Sequence, residues 1–146
     1  MTGNTAPVPD GIISLRSSLP FKETVSNLSI ALERRGMAVY ARADHAANAS
    51  DAGLELRATQ VFVFGFPEVE GPIIQSCPAL GLDLPRKIGV WEDEAGKTWI
   101  SYNDPLWSGR HYSASAGVLL LLRAMATSLT GIALEAGGKS PRIDPA

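Results

Sequence analysis

The sequence predicts an α+β domain: a mostly antiparallel five-stranded sheet packed against two longer helices, in the order β-α-β-β-β-β-α with small helices inserted. Three observations carry this reading. Five short runs with strand preference are each set off by Gly, Pro or Asp. Residues 20–36 carry one apolar stripe at helical spacing. Residues 115–136 form the most apolar segment, long enough for a second main helix.

Residues 11–17 read as the first strand, with Ile13 and Leu15 on one face. Pro20 opens the first long helix, since the first turn has no use for the missing N–H. Phe21, Val25, Leu28 and Leu32 follow on one side, and Gly36 ends the helix. Residues 37–43 read as the second strand. Strict alternation there puts Val39, Ala41 and Ala43 on one face, Tyr40 and Arg42 on the other. The alanine-rich residues 44–53 favour a short helix, with Asp44 as N-cap and Gly53 as stop.

Residues 59–65 form the third strand around Val61-Phe62-Val63-Phe64, and Phe66-Pro67 breaks it. A short helix is expected between Pro72 and Cys77, ended by Pro78. Pro85 precedes the fourth strand, residues 87–92. Asp93-Glu94-Ala95-Gly96 is a hairpin turn, and residues 97–103 return. Asp104-Pro105 closes the sheet. The last helix starts near Ser113 or Ser115 and stops at Gly137-Gly138. One domain, residues 11–138, is expected between loose tails at 1–10 and 139–146.

Composition narrows the function. The net charge of −2 opposes the basic face that nucleic-acid binding requires, so no nucleic acid is expected as a partner. The single cysteine, Cys77, cannot form an intrachain disulfide and reads as buried filler. No secretion signal stands at the start, and the longest unbroken apolar run, residues 118–122, is far below the ~20 residues of a membrane span. A cytoplasmic protein without membrane attachment is expected. The cofactor stays unknown; neither a Gly-rich phosphate loop nor a Gly-x-Ser-x-Gly nucleophile elbow is present.

Five pieces stand in a recognisable order: Asp44-His45, Phe64-Gly65-x-Pro67, Leu82-Asp83-Leu84-Pro85, Trp91-Glu92-Asp93 and Tyr102-Asn103-Asp104-Pro105. Together they resemble the family called domain of unknown function 302, over about residues 11–136. The resemblance implies a small α+β domain, commonly dimeric, whose fold is grouped with that of the TATA-box-binding protein half. It implies no activity. Two departures fall in one loop. Where the family usually reads Phe-Gly-Asn-Pro, this chain has Phe64-Gly65-Phe66-Pro67. Where the family favours Lys and then Gly-Thr-Pro, it has Glu68 and Glu70-Gly71-Pro72. An anion held by that loop would be held less well here, or not at all.

Asp44 and His45 are the sharpest candidates for chemistry. A carboxylate beside an imidazole can orient a tautomer for acid–base work, yet Asp44 also suits a plain helix cap. Phe66, Asp83, Trp91 and Tyr102 are further candidates for lining a ligand pocket with them, though the aromatics also suit sheet packing. No metal site is expected, for no ligand spacing such as His-x-x-x-His or Cys-x-x-Cys occurs. The expected function is a dimeric small-molecule-binding module with its site near Asp44 and His45. The alternatives are an enzyme using His45 as general acid or base, and a protein–protein adaptor. The homodimer follows from residues 118–122, whose apolar side chains point in every direction around the last helix. Light scattering at micromolar concentration should therefore return twice 15.5 kDa, and a monomer mass would overturn the dimer.

Overall fold

The structure, a computed structural model, describes residues 8–139. The expected tails therefore fall outside the described residues except at 8–10 and 139. The elements are β1 (Ile12–Arg16), α1 (Phe21–Arg34), β2 (Ala38–Asp44), α2 (His45–Asp51), β3 (Thr59–Gly65), α3 (Pro67–Ser76), a 3₁₀ turn (Pro78–Leu82), β4 (Arg86–Glu92), β5 (Thr98–Asn103), α4 (Pro105–His111) and α5 (Ala116–Ala136). The strands form one sheet in the order β1-β5-β4-β3-β2, and every neighbouring pair is antiparallel. The fold is the expected α+β one.

Alternation along the strands decides what is buried. Phe62 and Phe64 of β3, Ile88 and Val90 of β4, and Ile100 and Tyr102 of β5 face α1 and α5 in one apolar core. Val25, Leu28 and Leu32 from the α1 stripe enter it, as do Leu129, Ile132 and Ala133 from the second half of α5. The first half of α5 serves another core. Val118 and Leu122 pack with Ile73 of α3, Leu80 of the 3₁₀ turn and Leu84.

Four elements differ from expectation. In β2, Val39 pairs with Phe64 and Ala41 with Val63, so Tyr40 is an extra, bulged residue. The bulge moves Val39 off the face of Ala41 and Ala43. Arg42 opposes Phe62 instead and lays its guanidinium over that ring at 4.3 Å. Secondly, α3 starts at Pro67 rather than Pro72, because Pro67 stands at the position where a missing N–H costs nothing. Thirdly, Asp104-Pro105 begins a helix, α4, with Asp104 accepting from the Leu106 N–H at 3.0 Å.

The fourth difference concerns α5. By length and composition it is the one described helix that would reach across a bilayer. Its apolar faces are divided between the two cores, and Leu120 is its one exposed large apolar side chain among the described residues.

The ends of α1 and α5 are tied by Arg35 and Glu135, which form two hydrogen bonds of 2.8 and 2.9 Å. That contact holds the Glu135 carboxyl below its ordinary range. A depressed carboxylate gives stability that is present above its unfolded value, near ~4.3, and lost as pH falls through the folded one. Glu135→Gln should cost about 1 kcal/mol at pH 7, the upper end for a partly exposed pair, and nothing measurable once the carboxyl is protonated. Urea midpoints of the two proteins, compared from pH 7 downward, check this: the difference between them should shrink as pH falls through the folded-state titration of Glu135.

Candidate functional site

Two side chains at one end of the sheet stand out chemically. Phe66 occupies the position before the first residue of α3 and has no side-chain oxygen to cap it. Glu70, one turn on, folds back and accepts from the Phe66 N–H at 3.0 Å, which satisfies that donor. The carboxylate thereby lies on Gly65, where a Cβ would overlap Glu70 Oε1. Gly65 is thus needed for close approach. Arg86 opposes Phe64 at the start of β4 and gives its Nε–H to the Met125 sulfur of α5 at 2.8 Å.

Both charged side chains are inside the protein, Glu70 at 7% and Arg86 at 4% exposure. Glu70 Oε2 and Arg86 Nη2 are buried with no hydrogen-bond partner in the protein. The two are not joined to each other, since Arg35–Glu135 is the one ion pair among the described residues. Burial pushes the Glu70 carboxyl up, against the Phe66 N–H and the Arg86 charge that pull it down. Burial likewise lowers Arg86, opposed by the carboxylates of Asp83, Glu70 and Asp104.

Glu70 and Arg86 stand in the lining of a cleft of about 90 Å³, with Oε2 and Nη2 themselves enclosed. Phe64, Phe66, Val69, Leu129, Ile132 and the methionines Met37 and Met125 make its apolar walls, and Ala124 and Ser128 of α5 stand in the lining too. An unsatisfied buried polar atom costs roughly 1–3 kcal/mol, and this part of the protein holds two of them. Apolar walls with two charged side chains among them are the kind of lining a small-molecule cleft has.

The sequence candidates are divided between the two ends of the sheet. Asp44 pairs with Gln60 at the start of β3, whereas the cleft lies beyond Phe64 at its other end. Five residues of strand, at about 3.3 Å each, put some 15–17 Å between them. Asp44 caps α2, taking the Ala47 N–H at 2.9 Å and the Gln60 amide at 3.3 Å. The His45 ring is exposed and makes no side-chain hydrogen bond among the described residues.

Trp91 lies toward the Asp44 end, opposite Thr59; it stacks on Trp99 and donates to Ser101 at 2.8 Å. Phe66, Asp83 and Tyr102 belong to the other end. Of these only Phe66 lines the cleft. Asp83 accepts from the Tyr112 hydroxyl at 3.4 Å, and Tyr102 is buried with its hydroxyl on Thr130 at 3.1 Å. No three His, Cys, Asp or Glu side chains converge among the described residues.

Sequence reasoning missed Glu70 and Arg86 as site residues. Glu70 carried a signal, being acidic inside a stretch that departs from the pattern of similar proteins. Arg86 carried none, since an arginine at a strand start ordinarily reaches solvent.

The profile of the family described as Domain of unknown function DUF302 matches residues 13–132. A fluoride-specific ion channel FluC 1 of Brucella suis biovar 1 (strain 1330) is 32% identical over 131 residues, covering 90% of this chain and 52% of the relative. Another FluC 1, of Brucella abortus biovar 1 (strain 9-941), is 32% identical over the same length, covering 90% of this chain and 48% of the relative. The chain thus spans about half the length of the curated relatives it matches. The crystal structure of an uncharacterized conserved protein DUF302 from Bacillus stearothermophilus superposes with a TM-score of 0.77 at 16% identity, over 85% of this chain and 96% of that one. At that identity the likeness speaks for the fold.

Proposed function

The chain belongs to the DUF302 family, and on that premise we propose that it is a small-molecule-binding module whose site is the cleft between β3, α3 and α5. One observation carries the reading. Two charged side chains, each more than nine-tenths buried and each with one unpartnered atom, stand in the lining of an apolar cleft. The reading keeps the ligand-binding function expected from the sequence and moves the site from Asp44 and His45 to the far end of the sheet. An enzyme working through His45 has less support, because that ring is exposed and has no partner to orient it.

A screen of small neutral and charged aromatic compounds against ¹⁵N-labelled protein tests the proposal. Amide shifts should concentrate on Gly65, Phe66, Glu70 and Ser128. They should vanish in Ala124→Phe, which fills the lining from α5 without touching either core. Shifts scattered over the surface, or unchanged in that variant, would overturn the reading.

The name of the Brucella relatives supports a second proposal about context. Those proteins are about twice as long as this chain, and ion conduction is said of them whole. We infer that a domain of this kind serves as a ligand-sensing companion to a channel and does not itself conduct. In fluoride-loaded liposomes this chain alone should produce no efflux above that of protein-free vesicles; sustained efflux would sink the inference.

A further inference from the structure

The lining of the cleft points to the part of a ligand that enters it. We propose that the cleft takes the end of a linear alkyl chain, about three or four carbons deep, and leaves in solvent the polar group that the chain carries. This rests on the binding function proposed above and deepens it by naming the chemical class.

Charge lies within this wall but is not offered by it. Glu70 Oε1 is taken by the Phe66 N–H, and Arg86 Nε by the Met125 sulfur. Glu70 Oε2 and Arg86 Nη2 are enclosed. A charged head drawn inside would lose its hydration and meet carbon and sulfur instead, from Phe64, Val69, Met125, Leu129 and Ile132. Apolar surface gains by making the same move.

Exposure is graded along the lining. Ala124 is exposed and Ser128, one turn further along α5, is half-buried, so these two mark the mouth. Phe64, Leu129 and Ile132 are buried and mark the floor. Ser128 brings a hydroxyl to the lining, and brings it at the mouth. A chain that enters methyl first therefore packs its carbons against the floor and keeps its head beside water.

Size selects a chain over a ring. An apolar cavity of ~150 Å³ takes the six carbons of benzene, so about 90 Å³ takes about three or four. A ring enters such a space in part, whereas a linear chain threads into it. Met37 and Met125 suit this occupant, because their unbranched thioethers adapt to the changing shape of a flexible chain.

The test is an NMR titration of the full chain with the 1-alkanols from ethanol to 1-hexanol, followed on the amides of Gly65, Phe66 and Ser128. Affinity should rise about fourfold for each added methylene, the equivalent of ~0.8 kcal/mol, and level off beyond about four carbons. At equal tail length, 1-butanol, butylammonium and pentanoate should agree within about threefold, since their heads stay in water. Cyclohexanol should bind about tenfold weaker than 1-hexanol. No rise with chain length, a charged head tighter by about tenfold, or cyclohexanol equal to 1-hexanol would overturn the alkyl assignment and leave the binding function standing. No compound of either shape shifting the cleft would overturn both proposals together. Val69→Ala gives an independent check. It removes apolar wall, so the levelling-off should move out by about one carbon. An unchanged limit in a variant with a native-like spectrum would overturn the placement of the chain in this cleft.

Discussion

Helix α5 has to bury two separate sets of apolar side chains, and most of the molecule is arranged around that requirement. Its second half closes the core between the sheet and α1, while its first half closes the smaller core under α3 and the 3₁₀ turn. No single sheet face could cover a helix so apolar, so the long β3–β4 connection folds up to cover the rest. The two cores meet at Met125, which packs against both. The cleft opens at this seam, where the packing of one core stops and that of the other has not yet begun.

A seam between cores is also where charged groups can be enclosed without breaking a core. Arg86 enters at the first residue of β4 and Glu70 from the first turns of α3, each beside the seam and outside the densest packing. The carboxylate reaches its place only because Gly65 has no side chain. Enclosure of both charges without direct pairing runs against simple stability, since desolvation of each is only partly offset. That departure from an otherwise consistent structure is the kind found at functional sites.

Much of the fold was legible because local signals agreed with the tertiary outcome. The spacing of Phe21, Val25, Leu28 and Leu32 marked α1, and the Val61–Phe64 run with the hairpin at 93–96 marked the sheet. The misreadings have identifiable causes. An inserted residue such as Tyr40 leaves no trace in composition, so alternation was carried straight through it. Pro67 and Pro105 were read as stops although proline also starts helices; the Asp104-Pro105 pair even had the cap and first-turn residue in order. The site was less legible than the fold. Phe66 was found because it lies on a loop that departs from the family pattern. Arg86 stayed hidden because burial of a charged strand residue depends on α5, nearly forty residues away in the chain. Asp44 and His45 drew attention by residue type and by their place in the family pattern, and neither says which end of a sheet a ligand would approach.

The bulge in β2 has a consequence for the chain in crowded solution. β2 is an outer strand of the sheet, and Val39 and Tyr40 are exposed on it. An exposed apolar edge offers a row of free N–H and C=O groups on which a second molecule can extend the sheet without limit. The extra residue at Tyr40 interrupts that row, so a foreign strand that begins in register falls out of step within a few residues. Arg42, just beyond, adds a charge that a growing fibril would have to strip of water. One inserted residue thus guards the open border of the sheet against runaway self-association.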